Sequence, residues 1–217
     1  MSGLTGYQDI GVSLGGQYSD GIRGGSLVAG AVPAHVDRAE FQAAISFQEQ
    51  LDLFDYWDKL RNGSPFPMRG DFDPTQVFST LGSLGLIEVS YPEDERLEPE
   101  FRYRLVGSDI QAFFEESLKG KSVQEAKNPA YADYLTGIYN AVVRFRSPIC
   151  VQENNCLPSG YYIFRGRIYL PAEPDASGRP TILIYNTLDP GRGDLRIARR
   201  LADDFPQDDA RVWVLSA

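Results

Sequence analysis

The sequence predicts an α+β domain built from a five-stranded antiparallel sheet, helices that cover one face of it, and a long amphipathic helix at its N-terminal end. Three observations predict this class. The first is a long stretch with apolar residues at helical spacing. The second is a pair of stretches in which apolar and polar residues alternate. The third is two further helical stretches, followed by three more alternating ones. Alternation is typical of half-buried strands, and spacings of three or four residues are typical of amphipathic helices. Two strands, a helical segment and a three-strand meander combine into one sheet with helices packed on it.

The first helix is predicted over residues 37–61. Asp37 and Glu40 have the spacing of a capping box, and Asn62-Gly63 is a typical helix end. The apolar positions recur at close to the helical period, and they are Phe41, Ala44, Ile45, Phe47, Leu51, Phe54, Trp57 and Leu60. The pattern therefore predicts one uninterrupted helix ahead of the sheet.

These apolar positions cover a sector of the helix wider than one narrow face. A helix that is apolar over more than about 100° must bury a second side as well. One side covers the sheet of the same chain, and we expect the other to meet a second copy in a homodimer through Phe41 and Ile45. The alternative is that the N-terminal head or the C-terminal segment covers this second side.

The remaining elements are predicted from the same two patterns, helical spacing and strand alternation. Asp73-Pro74 begins a short helix over residues 75–81, because aspartate caps helices and proline suits their first turn. The other predicted elements are strands over 86–91 and 101–106, helices over 107–118 and 130–146, and strands over 148–152, 161–170 and 181–188.

The chain divides into three predicted parts. Residues 1–36 hold nine of the 21 glycines, few charges and no sustained apolar period, so we expect a flexible head. Residues 37–189 form the domain. Residues 190–217 form a C-terminal extension with helical spacing at Leu195, Ala198, Leu201 and Phe205. Its last run, residues 212–215, is either a sixth strand at the sheet edge or a docking segment.

Composition and charge exclude several classes of protein. Hydrophobic residues make up 42% and charged residues 24%, which are ordinary values for a globular domain. No run reaches the roughly 18 apolar residues of a membrane span, and no secretory signal is present, so we expect a cytoplasmic protein. The chain carries 21 basic and 30 acidic residues, and its net charge of −9 argues against nucleic-acid partners.

The sequence predicts no catalytic residues and no metal ligands. The single histidine, His35, lies in the predicted head, where it cannot be held against a serine or cysteine nucleophile. The acidic residues lack the spacing of a calcium loop, and Cys150 and Cys156 alone do not make a zinc site. The chain is therefore predicted not to be an enzyme. A small α+β enzyme of unknown reaction is the alternative.

Aromatic and arginine side chains are the candidate ligand-binding residues. The candidates are Arg69, Tyr103, Arg104, Phe113, Phe114, Tyr162, Phe164 and Tyr185. The aromatic residues map to the sheet or to its covering helices, where they form either an ordinary core or the wall of a ligand cavity. Arg104 shares a side of its strand with Arg102, opposite Phe101, Tyr103 and Leu105. Arg69 and Arg104 either form structural ion pairs or clamp a carboxylate or phosphate.

Several short motifs occur in a fixed order along about two-thirds of the chain. They are Tyr56-Trp57, Arg61, Pro67-Met68-Arg69, Asp71, Asp73-Pro74, Phe101-Arg102-Tyr103-Arg104-Leu105-Val106-Gly107 and Leu118-Lys119-Gly120-Lys121. In this order they resemble a bacterial, alphaproteobacterial family of single PAS domains. The predicted order of helices and strands also resembles the PAS fold.

The resemblance implies a sensory or regulatory binding module in bacterial signalling. It implies a homodimer that binds a small-molecule ligand or a signalling protein. The predicted elements include no kinase, cyclase or DNA-binding output segment, so a signal would leave through a partner. The sequence leaves any cofactor unidentified. Asn155-Cys156 is predicted in a turn between late strands, which differs from the helical context of the reactive cysteine in flavin-binding PAS domains.

Overall fold

A computed structural model of the chain describes residues 33–94, 97–114, 117–125, 128–156, 162–174, 178–188 and 209–216. The helices are α1 (Arg38–Ala44), α2 (Gln48–Leu60), α3 (Ser108–Phe113) and α4 (Pro129–Phe145). The strands are β1 (Ala34–Val36), β2 (Leu84–Ser90), β3 (Glu100–Val106), β4 (Ile149–Cys156), β5 (Tyr162–Ala172), β6 (Thr181–Leu188) and β7 (Asp209–Leu215). Three 3₁₀ helices span Arg69–Asp71, Pro74–Ser83 and Val123–Glu125.

The described strands form one mixed sheet in the order β1-β7-β4-β5-β6-β2-β3. The α+β class and the five predicted strands, now β2 to β6, are confirmed, and these five pair antiparallel. The predicted total of five strands is wrong because β7 pairs antiparallel with β4 and β1 pairs parallel with β7. The run 212–215 therefore lies inside a strand that has neighbours on both sides, not at an edge.

The single long helix predicted over residues 37–61 is wrong, because two helices occupy this stretch. Asp37 does cap α1 with the predicted capping box, in which the Glu40 N–H donates to Asp37 Oδ1 over 2.9 Å. The helix ends at Ala44, whose free carbonyl accepts a hydrogen bond from the side chain of Gln152 on β4. Phe47 is extended and turns its ring to Phe164 of β5, with ring centroids 5.7 Å apart.

Helices cover both faces of the sheet, although the sequence predicted them on one. Alternation along β5 shows the division: Ile168 and Leu170 pack with α1 and α2, whereas Tyr169 packs with α4. We call these the α2 face and the α4 face. Each face has its own buried core, because alternate residues of a strand point to opposite sides of the sheet.

A β-bulge at Arg104 changes which face the end of β3 presents. Tyr103 pairs with Ile87 and Leu105 pairs with Leu86, so Arg104 is the extra residue. The sequence placed Leu105 on the same side as Tyr103, and this is wrong. The bulge turns Leu105 to the α2 face, beside Leu86.

Other boundaries also differ from the prediction. His35 lies in β1 and not in a flexible head, with its ring centroid 5.0 Å from that of Phe145. Cys156 ends strand β4 and does not lie in a turn. The helix predicted over 107–118 ends at Phe113. The helix predicted around Leu195 to Phe205 lies outside the described residues.

Candidate ligand-binding groove

A groove with a volume of about 360 Å³ opens on the α2 face of the sheet. Its walls come from α2, the first two 3₁₀ helices and the ends of β2, β3, β5 and β6. Apolar side chains form most of its lining, among them Trp57, Phe72, Leu81, Leu84, Leu86 and Leu183. Met68 and Leu105 also line it, and they are 48% and 45% exposed. The volume lies within the range of small-molecule pockets, and the lining is mostly apolar, as it is in such pockets.

Trp57 forms the helical wall of the groove. Its ring is buried, and Nε1 donates a hydrogen bond to the Pro171 carbonyl of β5 over 2.8 Å. The guanidinium of Arg61 lies 5.3 Å from the centre of the indole ring and also donates to the Ser64 carbonyl. A buried indole N–H needs an acceptor, so this bond fixes α2 against the sheet at the groove.

The 3₁₀ helices are held in place by a small hydrogen-bond network at Asp73. The Asp73 N–H donates to Tyr56 Oη over 2.9 Å, and the Asp73 carboxylate accepts from the N–H and hydroxyl of Thr75. These bonds lower the pKa of the Asp73 carboxyl, chiefly through the backbone N–H of Thr75. The ring of Phe72 packs 5.5 Å from that of Tyr56. The network therefore positions Phe72 and Pro74 in the groove wall.

Two polar side chains line the groove near the end of β5. The Arg69 N–H donates to the Glu173 carbonyl over 3.2 Å. Thr181 pairs with Ala172, the residue before Glu173, so both Arg69 and Thr181 lie close to this strand end. Thr181 is 5% exposed, and its Oγ1 has no hydrogen-bond partner among the described residues. A buried hydroxyl without a partner costs about 1–3 kcal/mol.

The α4 face contains a buried ionic cluster. Glu153 of β4 lies 3.1 Å from Arg167 and 3.7 Å from Arg165, both of β5. Tyr134 of α4 donates to Glu153, and Arg167 donates to Tyr169 Oη over 3.3 Å. Burial lowers the pKa of the Arg165 guanidinium. Burial also opposes the charge of Arg167, but attraction to Glu153 holds its pKa well above the ordinary value. The cluster ties α4 to the sheet.

Burial raises the pKa of several tyrosines and of one cysteine. Burial raises the pKa of Tyr169 to about 12 and raises the pKa values of Tyr103 and Tyr139. Burial also raises the pKa of the Cys150 thiol to about 12. The thiolate is the reactive form of cysteine, so this shift disfavours reaction at Cys150 in the folded chain.

The predicted ligand-binding residues do not form one site. Arg69 lines the groove, whereas Tyr185 and Phe164 lie elsewhere on the α2 face, Tyr185 against Leu84 and Phe164 against Phe47. Tyr185 is largely buried, which raises its pKa. The candidate set is therefore distributed over the sheet.

The other candidates lie away from the groove or outside the described side chains. Tyr103 and Phe114 pack in the core of the α4 face, and Arg104 is exposed at the bulge. Phe113 ends α3 and Tyr162 begins β5, but their side chains lie outside the described part.

The sequence missed most of the groove. Trp57, Phe72, Thr181 and Leu183 were not predicted as site residues, although Trp57 belongs to a motif that carries the family resemblance. The motifs that carry the family resemblance did mark the groove. Four more of their residues line it, namely Pro67, Met68, Pro74 and Leu105.

The predicted dimer residues contact the core of their own chain. Phe41 is fully buried, and its ring lies 5.1 Å from that of Phe54. Ile45 is half-buried against the same core. Phe41 is therefore not on a surface that a second copy can reach, and dimerisation itself stays a prediction.

Within the described ranges, no group of three or more histidine, cysteine or acidic side chains is placed to hold a metal ion. The described helices also include none with the length and apolar character needed to cross a bilayer.

Comparison with known proteins identifies the family. No curated protein shows detectable similarity to the chain. A family model for the PAS domain matches residues 46–178, which include α2, the 3₁₀ helices of the groove, α3, α4 and strands β2 to β5. The match covers more than half of the chain. The chain belongs to the PAS domain family.

Proposed function

We propose that this PAS domain is a sensory or regulatory binding module that takes up a small molecule in the groove and signals to a protein partner. The observation that carries the proposal is the groove itself. It encloses about 360 Å³, is mostly apolar, and includes a cation and a buried hydroxyl. Ligand sites typically combine an apolar lining with a few polar groups that fix orientation.

The position of the groove suggests how binding reaches the surface. Its wall joins α2 and the 3₁₀ helix Pro74–Ser83 to the sheet, and these segments are connected by hydrogen bonds at Tyr56 and Asp73. A ligand that prefers one arrangement of these segments shifts the population toward it. The partner then recognises the surface that this arrangement presents.

The resemblance noted from the sequence motifs supports three finer proposals. We propose a bacterial cytoplasmic setting, a signalling protein as the partner, and a homodimer as the working unit. We also propose that the chain acts by binding and not by catalysis. The position of its one histidine supports this, because His35 packs against Phe145 at β1 and not beside the groove.

Native mass spectrometry of freshly purified protein tests the function. We expect the wild-type chain to carry a non-covalent adduct of small-molecule mass. Ala172→Phe fills the groove with a ring, because Ala172 is a half-buried lining residue, and it should remove the adduct. Ala39→Phe is the control, since Ala39 is exposed on α1.

Two outcomes would contradict the proposal. A wild-type chain with no adduct would favour a pure protein adaptor. An adduct that Ala172→Phe retains at the wild-type level would place the ligand elsewhere. The same spectra report the oligomeric state, and a monomer at tens of micromolar would contradict the homodimer.

A further inference from the structure

The charged groups around Thr181 have partners within the chain. Glu88 of β2 lies opposite Thr181 in the sheet, and its carboxylate accepts a hydrogen bond from Arg179 over 2.5 Å. Arg69 lines the groove, and besides its backbone bond to Glu173 it takes part in a further interaction within the chain. An ionic ligand at this end of the groove would therefore compete with contacts that the fold already makes.

The hydroxyl of Thr181 differs from these charged groups. Thr181 is 5% exposed, and its Oγ1 has no hydrogen-bond partner among the described residues. Its side chain lies on the α2 face, because Leu183 and Tyr185 at the alternate positions of β6 pack there. Rotation about χ1 exchanges the hydroxyl and the methyl group of a threonine, so either group can face the groove. A ligand oxygen beside Thr181 supplies the partner that this hydroxyl needs.

The other walls of the groove favour an uncharged, apolar body. Trp57, Phe72 and Leu183 line it, the half-exposed Met68 and Leu105 extend the apolar surface, and none of the lining residues that the structure describes is acidic. A charged group placed against such walls loses its hydration without compensation. An alkyl or aryl group gains free energy in proportion to the apolar area that it removes from water. The groove therefore selects against ions along most of its lining.

We propose that the groove binds a neutral, lipophilic molecule whose one oxygen function, a hydroxyl or a carbonyl, forms a hydrogen bond with Thr181. This assignment rests on the proposed function and names the class of its ligand. A carbonyl oxygen accepts from the threonine hydroxyl, and a ligand hydroxyl either accepts from it or donates to it. The apolar remainder of the ligand then lies against the walls formed by Trp57, Phe72 and Leu183.

Fluorescence titration of Trp57 tests the assignment. The chain has two tryptophans, so Trp213→Phe leaves Trp57 as the single reporter in the groove wall. 1-Decanol is the neutral probe, decanoate and decylamine are its charged counterparts, and butylbenzene is a probe without an oxygen. We expect 1-decanol to bind at least about tenfold more tightly than decanoate or decylamine, because each charged probe loses hydration in an apolar groove.

Variants of Thr181 locate the oxygen of the ligand. In the Trp213→Phe background, Thr181→Val should weaken 1-decanol binding about twofold to tenfold, the range of one hydrogen bond, and leave butylbenzene binding unchanged. Thr181→Ser keeps the hydroxyl and should keep most of the affinity for 1-decanol. Thr136→Val is the matched control, since Thr136 of α4 also has a buried hydroxyl without a partner among the described residues but does not line the groove. Unchanged butylbenzene binding shows that a variant is folded.

The outcomes separate this inference from the proposed function. Binding of decanoate or decylamine as tight as that of 1-decanol would overturn the neutral class, and equal effects of Thr181→Val on 1-decanol and butylbenzene would overturn the contact with Thr181. Either result leaves a binding groove in place. If every probe fails to bind to a chain stripped of its adduct, the neutral class is wrong. If every probe fails and the purified chain carries no adduct, both proposals are wrong.

Discussion

At the scale of single residues, the negative charge of Glu153 compensates two buried arginines. Its carboxylate lies within 3.7 Å of two buried guanidiniums and accepts a hydrogen bond from Tyr134. Removing one partner of a buried ion pair leaves the other charge buried without compensation, which costs far more than the intact pair contributes. The ionic cluster is thus a structural device, distinct from the groove on the opposite face.

Glu153→Gln should therefore destabilise the fold by about 3–5 kcal/mol, because two buried cations lose their shared anion. Denaturant unfolding measures this as a fall in the free energy of unfolding. Glu100→Gln is the control: Glu100 pairs with Arg102 at the exposed surface, and its loss should cost less than about 1 kcal/mol. Equal losses in the two variants would show that the cluster does not hold the α4 face together.

At the scale of elements, the junction between β3 and α3 depends on a close backbone approach. Gly107 precedes α3, and its N–H donates to the Leu84 carbonyl over 2.7 Å. A Cβ at this position would overlap the carbonyl oxygens of Leu81 and Gly82, which are backbone atoms and cannot rotate away. The 3₁₀ helix that ends at Ser83 thus packs directly on the start of α3.

Gly107→Ala should lower the free energy of unfolding by about 1–3 kcal/mol or more, because the added methyl group must displace a backbone segment. Gly70→Ala is the matched control, since nothing lies within 4 Å of a Cβ built there. Chemical denaturation followed by circular dichroism gives both values. A Gly107→Ala protein that unfolds at the same denaturant concentration as wild type would contradict the packing described.

The elements that the sequence predicted well are those set by local pattern. Alternation located β2 to β6, and the Asp37 capping box marked the start of α1. The features that the sequence did not predict depend on contacts between residues far apart in the chain. At the break after Ala44 the carbonyl bonds to Gln152, which is 108 residues away, and periodicity within a helix carries no information about that contact. The bulge at Arg104 and the three-residue β1 are likewise fixed by their partner strands.

The candidate site was harder to predict than the fold for the same physical reason. Arg69 was predicted because its type and motif are visible in the sequence. Thr181 was not, since its significance is that its hydroxyl is buried in an apolar groove with no partner in the described part of the chain. Burial of this kind depends on residues from α2, β2 and β5 together, and no local pattern contains it.

At the scale of the whole molecule, the two faces of the sheet have different contents. The described part of the α4 face holds many buried aromatic side chains and the ionic cluster around Glu153. The α2 face is filled near α1 and leaves the groove open between Trp57 and β2. The central claim is that this PAS domain binds its ligand on the α2 face.

Backbone amide chemical-shift mapping during a titration with 1-decanol, a small apolar probe, tests that claim most directly. The account predicts that the largest shifts occur at Trp57, Arg69, Thr181 and Leu183 and that they fall on one saturating curve. The Trp57 indole N–H should shift with them, since it is bonded to Pro171 in the groove wall. Largest shifts at core residues of the α4 face, such as Tyr139 and Tyr169, with the groove residues unmoved, would contradict it.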